Sequence, residues 1–170
     1  MKVFLIGFMG SGKSTAARKL ASRLGFDSLD LDAMIEQAEG RTIEELFRQG
    51  GEEKFRKLEY RYLRDLKDKQ QVVIATGGGT PCFHGNMEYM NATGITVYLK
   101  MTPAQLHSRL KNAASNRPLL KGQAEADLLQ SIVQKLDERE HFYRQATLVM
   151  NGFDLNIKAL ADEILRRRKQ

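Results

Sequence analysis

Gly7-Phe8-Met9-Gly10-Ser11-Gly12-Lys13-Ser14-Thr15 stands between a short apolar run, Val3-Phe4-Leu5-Ile6, and a stretch of helix formers, Thr15-Ala16-Ala17-Arg18-Lys19-Leu20-Ala21. The apolar run reads as a buried parallel strand and the second stretch as the helix that follows it. The spacing Gly-x4-Gly-Lys-Ser in a strand, loop and helix context is that of a phosphate-cradling P-loop. Glycines let the backbone curl so that successive N–H groups point at phosphate oxygens, and the helix N-terminus adds partial positive charge. Gly10, Ser11, Gly12, Lys13, Ser14 and Thr15 are therefore the expected nucleotide-binding residues. Lys13 would reach the β- and γ-phosphates, and the Ser14 hydroxyl would ligate Mg²⁺. A Gly-rich turn that merely joins a strand to a helix is the plainer alternative.

Outward from the loop, strand and helix signals alternate. Gly25 stops the first helix after Leu24. Phe26-Asp27-Ser28-Leu29-Asp30-Leu31-Asp32 reads as extended chain, whose period of two puts Asp30 and Asp32 on one side. Two carboxylates leaving a strand beside a P-loop suit Mg²⁺ and substrate handling; equally, they suit capping of a short helix over 33–38. Thr42-Ile43-Glu44-Glu45 is a capping box that opens a helix to Arg48. Gly50-Gly51 breaks it, and a longer helix is predicted from Glu52 to Asp68. Gln71 to Thr76 is a third strand, followed at once by Gly77-Gly78-Gly79, which permits close backbone approach by a ligand or simply makes a flexible turn. A helix from Met87, a strand over Ile95–Leu99, a helix opened by Thr102-Pro103-Ala104-Gln105, a helix over 124–145, a strand over Thr147–Met150 and a terminal helix from Asp154 complete the series. This alternation predicts a three-layer α/β domain with a parallel sheet, spanning 1–170 as one unit.

Two arginines and one loop stand out. Arg56 lies three residues before Glu59 on the long helix, where a surface salt bridge with Glu59 or Glu52 would be of little worth. Arg139 continues the apolar stripe Leu129, Ile132, Val133, Leu136 and Tyr143, so it faces inward and needs an anionic partner. Protein carboxylate and substrate carboxylate both meet that need. The polar, irregular segment from Asn112 to Gly122 carries Arg117 and Lys121, as a lid over phosphates would, or as an ordinary surface loop does. Strand three ends without the aspartate that commonly serves as a second P-loop-enzyme motif, which leaves that role to Asp30 or Asp32.

Composition narrows the classes. With 42% hydrophobic and 28% charged residues, the 170-residue chain is ordinary for a globular domain. Its longest apolar runs are too short to span a membrane. The first strand begins at the N-terminus and leaves no room for a cleaved leader, so a cytoplasmic protein without a membrane partner is expected. A single cysteine, Cys82, excludes an internal disulfide and reads as a packed small hydrophobe. The net charge of +6 invites a nucleic-acid reading. Part of that charge, however, is Arg166-Arg167-Arg168-Lys169 at a helix end, where cations complement the dipole. No nucleic-acid partner is expected.

Taken together the pieces resemble shikimate kinase over nearly the whole chain. The P-loop alone is shared by many NTPases. The specific part is the ordered set that follows it: Asp30-Leu31-Asp32 with Ile35-Glu36; Gly51-Glu52 with Phe55-Arg56 and Glu59; Gly77-Gly78-Gly79; Arg117-Pro118-Leu119-Leu120; and Arg139 with Tyr143. The resemblance implies a nucleoside-monophosphate-kinase-like fold with a five-stranded parallel sheet in order 2-3-1-4-5 and a lid over 112–123. It implies transfer of the ATP γ-phosphate to the 3-hydroxyl of shikimate, by a monomer. By position, Asp32 would orient or deprotonate the attacking hydroxyl within a substrate segment over 33–61 and its flank. Arg56 and Arg139 would clamp the substrate carboxylate beside Gly78 and Gly79. Lys13 and Arg117 would stabilise the transferring phosphoryl group, and Ser14, with Asp30 through water, would hold Mg²⁺. Arg109 matches the family's adenine-site arginine. Two departures are visible: His141 stands where the family often has proline, and Asn151-Gly152-Phe153-Asp154 lacks the proline expected near adenine, leaving Phe153 as the packing candidate.

Rival readings are a kinase of the same fold acting on gluconate or a nucleoside monophosphate, and a P-loop switch or nucleic-acid-dependent ATPase using the basic tail. The first gives no reason for Asp32, Arg56, the triple glycine and Arg139 together. The second predicts polyanion binding that weakens steeply with salt.

Overall fold

The computed structural model of the chain describes residues 1–114 and 125–168. Five short strands, β1 (Lys2–Ile6), β2 (Asp27–Asp30), β3 (Val72–Ala75), β4 (Ile95–Lys100) and β5 (Leu148–Asn151), form one parallel sheet in the order β2-β3-β1-β4-β5. Phe4 sits opposite Ile74 in the neighbouring strand, and Leu5 opposite Val97 on the other side. Every residue of β1 and β3 is buried, because helices cover both faces of the sheet.

The two-residue period of β1 divides the core. Val3 and Leu5, with Val73, Ala75, Val97 and Leu99, face helices α1 (Lys13–Leu24) and α7 (Ile157–Arg168). Phe4 and Ile6, with Val72, Ile74 and Tyr98, face the opposite layer of α2 (Leu31–Glu39), α3 (Ile43–Asp65), α4 (Asn86–Thr93), α5 (Pro103–Ala114) and α6 (Glu125–Tyr143). The small residues Ala16, Ala17 and Ala21 let α1 lie close to the sheet. That closeness brings the N-terminus of α1 to the C-terminal ends of β1 and β3, where ligands of open α/β sheets bind.

Several local expectations need correction. β2 ends at Asp30, which caps α2 by accepting from the Ala33 N–H at 3.2 Å. Asp32 therefore lies in the first helical turn and not in extended chain, because the cap is closed before Asp32 is reached. The two helices predicted after Thr42 are both present within α3 and break at Gly51 as expected, where φ 72° and ψ 178° are non-helical. The capping box of Thr42 and Glu45 is present as expected. On α6, Ile132, Leu136 and Tyr143 are buried whereas Leu129 and Val133 are exposed, so the inward stripe is narrower than its apolar members suggest. α7 begins at Ile157, after Asn156 accepts from the Ala159 N–H, three residues later than expected. Residues 112–114, assigned to an irregular lid, extend α5; the rest of that segment, with Arg117 and Lys121, lies outside the described residues. Arg166 and Arg167 both pair with Glu163 on the exposed end of α7.

Candidate active site

A cavity of about 650 Å³ opens at the C-terminal edge of β1, β2 and β3, and its lining includes Lys13, Ser14, Asp30, Asp32, Arg56 and Arg139. At one end is the loop between β1 and α1. Gly12 caps α1 with φ 87°, and a Cβ there would stand 3.0 Å from an Arg109 guanidinium nitrogen. A side chain at this position would be strained and would crowd the arginine. Lys13 is buried, its ammonium donating to the carbonyls of Gly7 and Phe8 at 2.9 Å each. Burial pulls its pKa down to about 8, against the opposing attraction of Asp32 and Asp30. Two of its three N–H donors are thus parked on the loop's own backbone.

The Ser14 hydroxyl donates to Asp30 Oδ2 at 2.5 Å. One oxygen of Asp30 thus caps α2, as one of the two sequence readings has it, and the other accepts from the P-loop serine. Among the described residues no cluster of three or more His, Cys, Asp or Glu stands ready for a metal. A hydroxyl and a single carboxylate fit Mg²⁺, which keeps waters and completes its shell from substrate phosphates. The buried Ser11 hydroxyl oxygen has no hydrogen-bond partner among the described residues. An orphaned donor in the loop fits a phosphate-binding cradle, since buried polar groups are otherwise satisfied.

Behind the loop, a cleft of about 260 Å³ runs between Thr15, Lys19, Arg109, Phe153 and Ile157. Arg109 donates to the Gly152 carbonyl at 3.4 Å, and its guanidinium lies 5.9 Å from the Phe153 ring centroid. The expected adenine residues Arg109 and Phe153 are thus neighbours, with the exposed Phe153 ring free on its outer side.

The other end of the cavity is built from distant segments. Arg56 is only 6% exposed, so the surface salt bridge weighed above is instead a buried one. Its NH1 donates to Glu59 at 2.6 Å and its Nε and NH2 donate to Glu52 at 3.2 and 2.9 Å. Phe83 lies 4.4 Å below the guanidinium, with Phe47 and Phe55 farther out. Glu59 is fully buried, and its other oxygen accepts from the Thr80 hydroxyl at 2.5 Å.

Each glycine of the triplet faces a member of this site. A Cβ on Gly77 would stand 2.9 Å from oxygens of Asp32 and Glu59, and one on Gly78 would stand 3.5 Å from Arg139. One on Gly79 would collide with the Arg56 guanidinium. At Gly77 and Gly79 the close approach is by the protein's own side chains, and at Gly78 the tightest neighbour is the Met9 backbone nitrogen at 3.2 Å. Arg139 has no carboxylate partner among the described residues; its guanidinium lies 5.8 Å from the Phe8 ring centroid and lines the cavity.

Asp32 lines the same cavity. Its Oδ1 is buried without a hydrogen-bond partner among the described residues. Burial first, and then the neighbouring carboxylates of Glu59 and Asp30, push its pKa up to about 6. Lys13 opposes that shift.

Sequence reasoning missed the Thr80 hydroxyl, the Phe47 and Phe83 walls, and the Tyr143 hydroxyl, which donates to the Gly78 carbonyl at 2.5 Å. Thr80 follows the triplet directly, which is a usable signal. Nothing local marks Phe83. Cys82 packs against the core and its thiol is pushed up to about 11 by burial, as a packed hydrophobe's should be.

A P-loop beside the hydrogen-bonded Ser14 and Asp30, and a cavity lined by Asp32 and two arginines at the carboxyl edge of a 2-3-1-4-5 sheet, are the build of a P-loop kinase of small molecules. The family model for shikimate kinase matches residues 9–169, and the chain belongs to the shikimate kinase family. The shikimate kinase of Bacteroides fragilis is 46% identical over 149 residues, which are 88% of this chain and 83% of that one. The crystal structure of shikimate kinase from Bacteroides thetaiotaomicron matches with a TM-score of 0.90 at 38% identity, covering 100% of this chain and 99% of that one. The Acinetobacter baumannii shikimate kinase, solved in complex with shikimate, matches with a TM-score of 0.79 at 34% identity, covering 98% and 91%. A gluconokinase from Sinorhizobium meliloti 1021 shares the fold alone, at a TM-score of 0.55 and 15% identity.

Proposed function

We propose that the protein transfers the γ-phosphate of ATP to the 3-hydroxyl of shikimate, giving shikimate 3-phosphate and ADP, with Asp32 as the group that handles the attacking hydroxyl. The observation that carries this reading is the unpartnered, buried Asp32 oxygen in the same cavity as Lys13 and the two arginines. A carboxylate with pKa about 6 is mostly ionised at neutral pH yet basic enough to accept a proton in the transition state. The hydroxyl oxygen forms the new bond to phosphorus, its proton passes to Asp32, and the electron pair of the broken P–O bond leaves with ADP.

Lys13 leaves the carbonyls of Gly7 and Phe8 for the phosphates and offsets the charge spreading over the transferred group. Arg139, without a carboxylate partner among the described residues, and Arg56 hold the substrate carboxylate, while backbone groups of Gly78 and Gly79 border it. The nucleotide base lies between Arg109 and Phe153. Mg²⁺, bound through Ser14 with Asp30 behind it, would supply charge neutralisation at the phosphates. A cytoplasmic monomer is proposed, the cytoplasmic part supported by a single, half-buried cysteine suited to reducing surroundings.

The test is ADP release with Mg-ATP, comparing shikimate, gluconate and a panel of nucleoside monophosphates. Turnover with shikimate alone is expected. Turnover only with another acceptor would keep the fold and overturn the acceptor-site roles.

A further inference from the structure

The guanidinium of Arg56 has little room left for a ligand. Its NH1 is held by Glu59, which is fully buried and fixed from behind by the Thr80 hydroxyl. The fork between NH1 and NH2 is faced by the Gly79 backbone, so close that no Cβ fits between them. The Phe83 ring covers one face. The remaining edge, Nε with NH2, is taken by Glu52.

The two glutamates differ in kind. Glu59 is sealed into the core side of the pocket. The Glu52 side chain is 55% exposed, sits one residue after the Gly51 kink, and reaches Arg56 from a second cavity of about 530 Å³ that adjoins the first along Arg56 and Arg139. A half-exposed pair is weak and exchanges with solvent readily.

We propose that Glu52 is a stand-in carboxylate: it occupies the ligand-binding edge of Arg56 in the free protein and must be displaced by the substrate carboxylate. The inference rests on the reading that Arg56 binds the carboxylate of shikimate. Glu52 is then an internal competitor that sets substrate affinity, with Glu59 the permanent partner that keeps the arginine in place. Removing Glu52 leaves Arg56 buried, still paired with Glu59, and open on one edge.

The experiment is calorimetric titration of shikimate into the wild-type protein and the variants Glu52→Gln, Glu52→Ala, Glu53→Gln and Arg56→Ala. Glu53 is a suitable control, because it is 79% exposed and pairs with Lys57, away from Arg56. Both Glu52 variants are expected to bind shikimate roughly two- to fivefold more tightly, the worth of a half-exposed ion pair. Glu53→Gln is expected to leave the affinity unchanged. Weaker or unchanged binding in both Glu52 variants would overturn the stand-in role, and so would equal tightening in Glu53→Gln, which would make the effect one of general charge. Arg56→Ala separates the two levels: lost affinity there with no gain in the Glu52 variants sinks this inference alone. Unchanged affinity in Arg56→Ala sinks the carboxylate clamp itself.

Discussion

The two ends of the cavity are made by different means. The phosphate end is nearly all backbone from one continuous stretch, Gly7 to Thr15, with a single lysine folded across it. The acceptor end is made of side chains from α2, α3, the turn after β3 and α6, which meet only in the folded chain. Backbone N–H groups at a helix N-terminus recognise any phosphate, so the first end is general. Fixed carboxylates and guanidinium groups recognise one arrangement of hydroxyls and carboxylate, so the second end is specific. In this protein the generic chemistry is local and the specific chemistry is tertiary.

Mutation at the phosphate end tests that contrast most strongly. Lys13→Ala is expected to lower kcat at least about a hundredfold, comparable to loss of an oxyanion donor. Steady-state ADP release measures it, and near-normal turnover would remove Lys13 from the chemistry. At the acceptor end, Arg139→Ala is expected to raise the shikimate KM about ten- to a hundredfold, the worth of a charge-assisted hydrogen bond, with far less effect on the ATP KM. Equal effects on both constants would erase the division between the ends.

The pH dependence separates them further. In the free protein Asp32 titrates near 6 and Lys13 near 8. The activity kcat/KM should therefore fall below pH 6 as Asp32 gains a proton and fall again above pH 8 as Lys13 loses one. With ATP bound, phosphate charge favours the protonated form of both groups, so both limbs of kcat should move upward, the alkaline limb further because Lys13 meets the phosphates directly. An acid limb that survives in Asp32→Asn would transfer that limb to another group.

A smaller effect lies in stability. The folded carboxyl of Asp32 is raised above its unfolded value of 3.8, so the folded state binds the extra proton between about pH 4 and 6. Its contribution is most favourable below that window and is lost as pH rises through it. Asp32→Asn should thus melt roughly a few degrees higher than wild type at pH 7.5, with the gain fading below about pH 4. Thermal melts at the two pH values decide it. A lower melting temperature at pH 7.5 would mean that the Asp32 charge is satisfied in the free protein.

The sheet was legible because apolar runs of four to six residues, punctuated by glycines and separated by helical periodicity, leave few alternatives to a parallel α/β core. The errors fell where two local rules compete. Asp30 and Asp32 fit a strand's period, but capping of α2 ended the strand first. Leu129 and Val133 fit an apolar stripe, but a helix buries only the arc that meets its neighbours, and these two point away from it.

By itself the sequence determined what depends on short-range geometry: the P-loop with its lysine, the helix stop at Gly25, the Thr42 capping box and the break at Gly51. The family resemblance then named the acceptor residues. Only the tertiary structure decided their electrostatic condition. Arg56 and Glu59 form a buried pair and not a surface bridge, because the Phe47, Phe55 and Phe83 rings close over them. Asp32 is raised by burial first and then by the nearby Glu59 carboxylate, and its Oδ1 has no hydrogen-bond partner among the described residues. Desolvation and the sum of nearby charges are properties of the space around a group, and that space is filled by residues far away along the chain.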